Sequence, residues 1–145
     1  MADCEAHKVT PELTEIIEAI IISTGYVSNF VQVDYTTGMA HAMYNGFTIL
    51  PSTEEYHHLH GEVVSYGTLV NLMVDQNMEK LKLAYDFNKE VGLPTCLADL
   101  ELEKGDPLED VLRITMENQE LTHTPYPVDA KMIHEAILKL EDYRG

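Results

Sequence analysis

Basic residues are scarce in this chain. Lys and Arg together number 9 against 25 Asp and Glu, for a formal net charge of -16 with neutral histidines. A field of that sign repels phosphate backbones and anionic headgroups, so nucleic acid and membrane surfaces are not expected as partners. Long hydrophobic runs are missing as well. The longest wholly apolar stretch, Ala19 to Ile22, is four residues, far short of the roughly 20 that a membrane span needs. The opening MADCEAHK has no basic-then-apolar export pattern. Cysteine is limited to Cys4 and Cys96, far apart and without CxxC spacing, which predicts two reduced thiols in a cytoplasmic protein. No glycine-rich turn is followed by a βα unit, so nothing in the chain is shaped to cradle a dinucleotide pyrophosphate. At 145 residues the expectation is one domain, residues 1–145, with a sizeable core and no room for a second full domain.

What is abundant is helical periodicity. Thr10-Pro11 reads as an N-cap with proline at the first helical position, and Leu13, Ile16, Ile17, Ile20 and Ile21 then fall on one stripe, predicting a helix over about 11–24. Met39, Ala42, Met43, Gly46, Phe47 and Leu50 give a second helix that fades near Pro51. From about Gly61 to Asp75, apolar residues cover so much of the circumference that a central, buried helix is expected. Leu81, Ala84, Tyr85 and Val91 continue in a fourth, stopped by Gly92-Leu93-Pro94. Asp106-Pro107-Leu108-Glu109 can form a capping box ahead of a fifth, and Asp129 caps a last helix carrying Ile133, Ala136, Ile137 and Leu140. The stretch from Gly25 to Tyr35 fits either an extended segment or a loop. No alternating strand set is present, so the fold class is all-α, a helical bundle of about six helices.

Two histidines stand out against this background. His41, in MAHAMYNGF, lies on a polar stripe with Thr37, Gly38, Tyr44, Asn45 and Thr48, while Met39, Ala42, Met43 and Phe47 face the other way. His60, in EYHHLHGEVVSYG, opens the third helix. By residue type alone, His41 could be a hydrogen-bonded surface group, and His57, His58 and His60 could be a solvated loop. Alternatively, imidazole nitrogen is a good zinc donor, and a catalytic zinc takes three protein ligands with a fourth position open.

The blocks MAHAMYNGF, HLHGEVVSYGTL, KEVGLPTCLADL and LTHTPYPVDAKMIHEAI occur in an order that resembles the C-terminal helical domain of zinc-dependent glycerol dehydrogenases, in the iron-type alcohol dehydrogenase superfamily. That family reads AAAHAxHNG, then HxxxHGExVxxGTL. The resemblance runs from about Val9 to Tyr143. It implies His41 and His60 as metal ligands, zinc as the ion, glycerol or a small polyol as substrate and NAD as hydride acceptor. Asn45, Gly46 and Gly61 are implied as conformational supports, although helix packing and turn geometry explain them equally well. Glu62 fits a carboxylate favoured by the helix dipole better than a general base.

Three departures bear on function. No residue inherits the family's third ligand, an aspartate upstream of the matched segment, and Asp34 is the nearest carboxylate on that side. The nucleotide-binding half has no counterpart, so NAD is expected only where a separate nucleotide-binding chain supplies it. Tyr44 stands where the family has a second histidine, and GYVSNFVQVDYTTGM replaces a shorter GFESGGLA lead-in, so residues Tyr26 to Thr37 are expected to follow their own path. The gap of 19 residues from His41 to His60 is also slightly longer than usual. The expected protein is a truncated glycerol dehydrogenase-like chain, inactive alone, with no catalytic residue of its own. A non-enzymatic helical subunit and one half of a split dehydrogenase are the alternatives. The expected partner is a second copy or a nucleotide-binding chain.

Overall fold

Thr10 starts the first helix as its sequence predicts, its hydroxyl accepting a bond from the Leu13 amide at 3.2 Å. The computed structural model describes residues 3, 6–32, 35, 37–143 and 145, with the backbone alone at 54 and 55. Cys4 falls outside them. The chain divides into two compact units, residues 1–36 and 37–145.

The first unit is dominated by α1 (Pro11–Phe30), which continues past the expected end at residue 24. Glycine inside a helix costs about 1 kcal/mol relative to alanine. At Gly25 that cost is met by Asn29, which donates to the Gly25 carbonyl at 2.7 Å, and by the Tyr26 and Phe30 rings, 5.6 Å apart one turn from each other. The apolar stripe forms as read, but no residue of α1 is buried, and Ile20 and Ile21 are 63% and 67% exposed.

The second unit holds α2 (Met39–Phe47), a short α3 (Pro51–Glu55), α4 (His60–Val74), α5 (Met78–Val91), α6 (Glu109–Met116) and α7 (Ala130–Asp142), with 3-10 turns at Leu97–Leu100 and Gln119–His123. No strand occurs among the described residues. The fold is all-α. α4 is central, packing on α2, α5 and α7, while α6 packs on α2 and α7. The core is built from Met43 and Phe47 of α2, Val63, Tyr66, Leu69 and Val70 of α4, Leu81 of α5, Val111 of α6, and Ile133, Ile137 and Leu140 of α7. Full burial of each such side chain contributes about 1.5–3 kcal/mol.

Two glycines let α2 sit unusually close to its neighbours. A Cβ on Gly46 would stand 2.5 Å from the Val111 carbonyl oxygen and from Thr115 Oγ1 of α6. A Cβ on Gly67 of α4 would stand 2.8 Å from the Ala40 carbonyl oxygen of α2.

Beyond α1, the helix ends expected at Gly92 and Asp129 form, and the box expected at Asp106 does not. Asn77 and Asp129 cap α5 and α7, accepting from Lys80 and Met132 amides at 3.2 and 2.8 Å, and Gly92 closes α5 in the left-handed conformation at φ 76°. The capping box expected at Asp106 does not form. Its carboxylate instead accepts from the Glu103 amide at 2.7 Å within the preceding turn, and α6 starts at Glu109 behind a buried Leu108 that makes no side-chain cap bond.

Candidate metal centre

His41 and His60 lie 19 positions apart in sequence, and helix packing brings them together. Met39, Ala42, Met43, Gly46 and Phe47 are buried and fix which side of α2 faces inward, leaving His41 half-buried on the other side. His60 is the first residue of α4 and is exposed. Their ring centroids are 5.3 Å apart. That spacing suits one ion. With zinc–nitrogen bonds of about 2.1 Å and the ring centre about 1.1 Å behind the nitrogen, a tetrahedral angle separates two imidazole centres by about 5.2 Å.

The electrostatics favour the free imidazole. Burial, then the neighbouring His60, hold His41 below the ordinary histidine value of 6.5, with Glu120 acting in the opposite direction. A neutral ring is the form that binds metal. The Tyr44 and His60 rings meet edge-to-face with centroids 4.4 Å apart, which makes Tyr44 a packed aromatic beside the pair. Glu62 accepts from the Leu59 amide at 2.9 Å, which makes it a carboxylate serving the start of α4. The same carboxylate lies 3.6 Å from His58 Nδ1, while His58 Nε2 is buried without a hydrogen-bond partner in the described structure. His57 is exposed, in the left-handed region at φ 55°.

Among the described residues no three His, Cys, Asp or Glu side chains are grouped closely enough to hold a metal ion as they stand. Asp34 lies outside those residues. Imidazole nitrogen is a donor that zinc accepts, but two such groups alone do not complete its shell.

One residue that the sequence did not single out is Glu120. Thr37 donates to its Oε1 at 3.0 Å, and Asn45 donates to the Asn118 side chain at 2.7 Å. Thr37, His41 and Asn45 are spaced by four along α2 and its lead-in, so these two bonds bracket His41. The only sequence signal for Glu120 is its position immediately ahead of the LTHTPYP block.

No protein-family model matches the chain. It is 34% identical over 146 residues to a glycerol dehydrogenase of Thermotoga maritima, covering 96% of this chain and 38% of that protein. A Citrobacter freundii glycerol dehydrogenase is 35% identical over 131 residues, covering 87% and 35%. Hydroxycarboxylate dehydrogenase A of Escherichia coli is 31% identical, covering 100% and 40%. Among solved structures, a probable glycerol dehydrogenase from Sinorhizobium meliloti superposes with a TM-score of 0.72 at 29% identity, covering 95% of this chain and 38% of that one. The chain thus spans well under half the length of the relatives it matches.

Proposed function

From a chain that is homologous, over nearly its whole length, to one part of the glycerol dehydrogenases, we propose that this protein is the metal-holding helical portion of a polyol dehydrogenase. The observation that carries the reading is the 5.3 Å approach of His41 and His60. These two side chains would hold a zinc-class ion, which when bound acts as a Lewis acid toward a secondary alcohol. His41 contributes a neutral ring, kept so by burial. Tyr44 packs edge-to-face with the His60 ring. Hydride transfer to NAD also requires a nucleotide-binding segment beyond this helical portion. Glycerol is the first substrate to test, because the relatives named glycerol dehydrogenase outnumber the hydroxycarboxylate enzyme among those compared.

Positioning of cofactor and alcohol is worth on the order of 7–11 kcal/mol of barrier, so the chain alone should not turn over glycerol with NAD at a rate near that of a complete dehydrogenase. The test pairs that assay with zinc titration of the purified chain. Weak zinc binding that disappears in both His41→Ala and His60→Ala, without turnover, supports the reading. Glycerol oxidation by the isolated chain, or zinc binding indifferent to both substitutions, would overturn it.

Exposed apolar surface supports a partner in this reading. α1 exposes Ile16, Ile17, Ile20, Ile21 and Phe30. Separately, Leu72, Leu83, Ala84, Phe87 and Leu93 line an apolar groove of about 510 Å³ between α4 and α5. Apolar surface on this scale favours association, either with a nucleotide-binding chain or with a second copy.

A further inference from the structure

The groove between α4 and α5 differs in charge from the chain that forms it. The sequence carries 25 acidic residues against 9 basic ones, yet Lys80 is the one charged side chain among those lining the groove, beside Leu72, Leu83, Ala84, Phe87 and Leu93. Lys80 is exposed and makes no ion pair among the described residues. Leu83 and Phe87 are 67% and 56% exposed. An apolar trough with a lysine at the first of its α5 positions suits an amphipathic helix bordered by a carboxylate.

α1 has that form. It carries Glu12, Glu15 and Glu18 and no basic residue, and its stripe is exposed at Ile16, Ile17, Ile20 and Ile21. With about 3.6 residues per turn, Glu12 borders the stripe one turn before Ile16, while Glu15 falls on the opposite face. The spacings agree as well. Leu83 and Ala84 follow Lys80 by three and four positions and Phe87 by seven, while Ile16 and Ile20 follow Glu12 by four and eight. Each run covers about 10–12 Å of helix. With Glu12 against Lys80 and α1 parallel to α5, Ile16 meets Leu83 and Ala84, and Ile20 meets Phe87.

We propose that α1 of one copy lies in the α4–α5 groove of a second copy, with Glu12 paired to Lys80 across the interface. The exchange is reciprocal, each copy giving its helix and receiving the other's, which closes a two-fold dimer. A groove two turns long is small beside the roughly 1,200–2,000 Å² that stable interfaces bury, and reciprocity doubles the contact. The stripe supplies the attraction and the exposed ion pair sets the register. No metal at His41 and His60 enters into the dimer, so it stands or falls separately from the zinc reading.

The test is sedimentation equilibrium of the full 145-residue chain at about 0.15 M salt, where repulsion beyond about 8 Å is screened and contact pairs persist. The variants are E12K, K80E, E15K and the double E12K/K80E, all at exposed positions, with thermal melts to check folding. E12K and K80E should each weaken the parent dimer about tenfold, since each reverses the pair at both contacts. E15K should not weaken it. General repulsion alone makes the opposite forecast for E12K, which removes negative charge. The double variant should return to parent affinity, and so should an equimolar mixture of E12K with K80E, where both exchanged contacts join opposite charges. Recovery in the mixture also shows that the E12K helix is intact. Recovery in the double variant but not in the mixture would put α1 in the groove of its own chain and overturn the second-copy assignment. A parent chain that is monomeric at every concentration, or single variants that dimerise as tightly as the parent, would overturn it too.

Discussion

Gly46 shows how a residue's role can be visible in sequence while its reason is not. Its place in MYNGF marks it as a support, but only the packing reveals the 2.5 Å collision that a methyl group would meet on α6. Gly46→Ala should lower stability by about 1–3 kcal/mol through overpacking, despite the helix propensity that alanine adds. A denaturant melt showing a gain would contradict the close crossing. The motifs that carry His41 and His60 are local, so the pair stands out in sequence. Glu120 does not, since the Thr37 hydroxyl that bonds it lies 83 positions away. Tyr126 was equally hidden. It donates to Asp75 on a distant segment, and burial followed by that carboxylate pushes its pKa up to about 12. The neutral phenol is the favoured form, so its contribution to stability is present below about pH 10 and is lost as pH rises toward 12. In Asp75→Asn, ultraviolet titration should show one tyrosine ionising earlier, back toward 10.

Among the elements, periodic helices with local caps were readable and short ones were not. α7 has both a four-residue apolar stripe and Asp129 ahead of it, and each does what the pattern implies. α3 and the two 3-10 turns span only four or five residues, too few to display a period. The Asp106 box misled because two amide groups compete for one carboxylate, and the nearer turn at Glu103 wins. The two caps should therefore respond differently to the same substitution. Asp129→Ala should cost about 1 kcal/mol of stability. Asp106→Ala should leave the α6 amides as protected from hydrogen exchange as before, because α6 never used that side chain. Faster exchange at the start of α6 in Asp106→Ala would restore the discarded box.

For the whole molecule, a net charge of -16 and an apolar helix without buried residues act in opposite directions. We expect charge repulsion to hold copies apart at low salt and the stripe of α1 to act as a partner surface once that repulsion is screened. Sedimentation should show association that grows between low and roughly 0.5 M salt. Substituting Ile16 and Ile20 together by Gln should abolish it with little change in the melt, since both side chains are exposed. A monomer at every concentration and salt level would count against a partner surface on α1. The helical class of the fold was readable from composition and periodicity. The exposure of α1 was not, because a stripe records that a helix has an apolar face without saying what covers it.

The seating of α2 has a consequence for the segment between the two histidines. Gly46 lets α2 against α6, and Gly67 admits Ala40, the residue just before His41, against α4. The approach of α2 to α4 is thus fixed by helix against helix, and within residues 48–59 Leu50 packs on the core and Thr53 donates to the Phe47 carbonyl at 2.8 Å. The exposed part of that connection, at Tyr56 and His57, is a rope between two moored boats: it can be lengthened without moving either one. An insertion there is free to become a lid, a label or a docking arm beside the centre, whereas a single methyl group on Gly67 would drag His41 out of line.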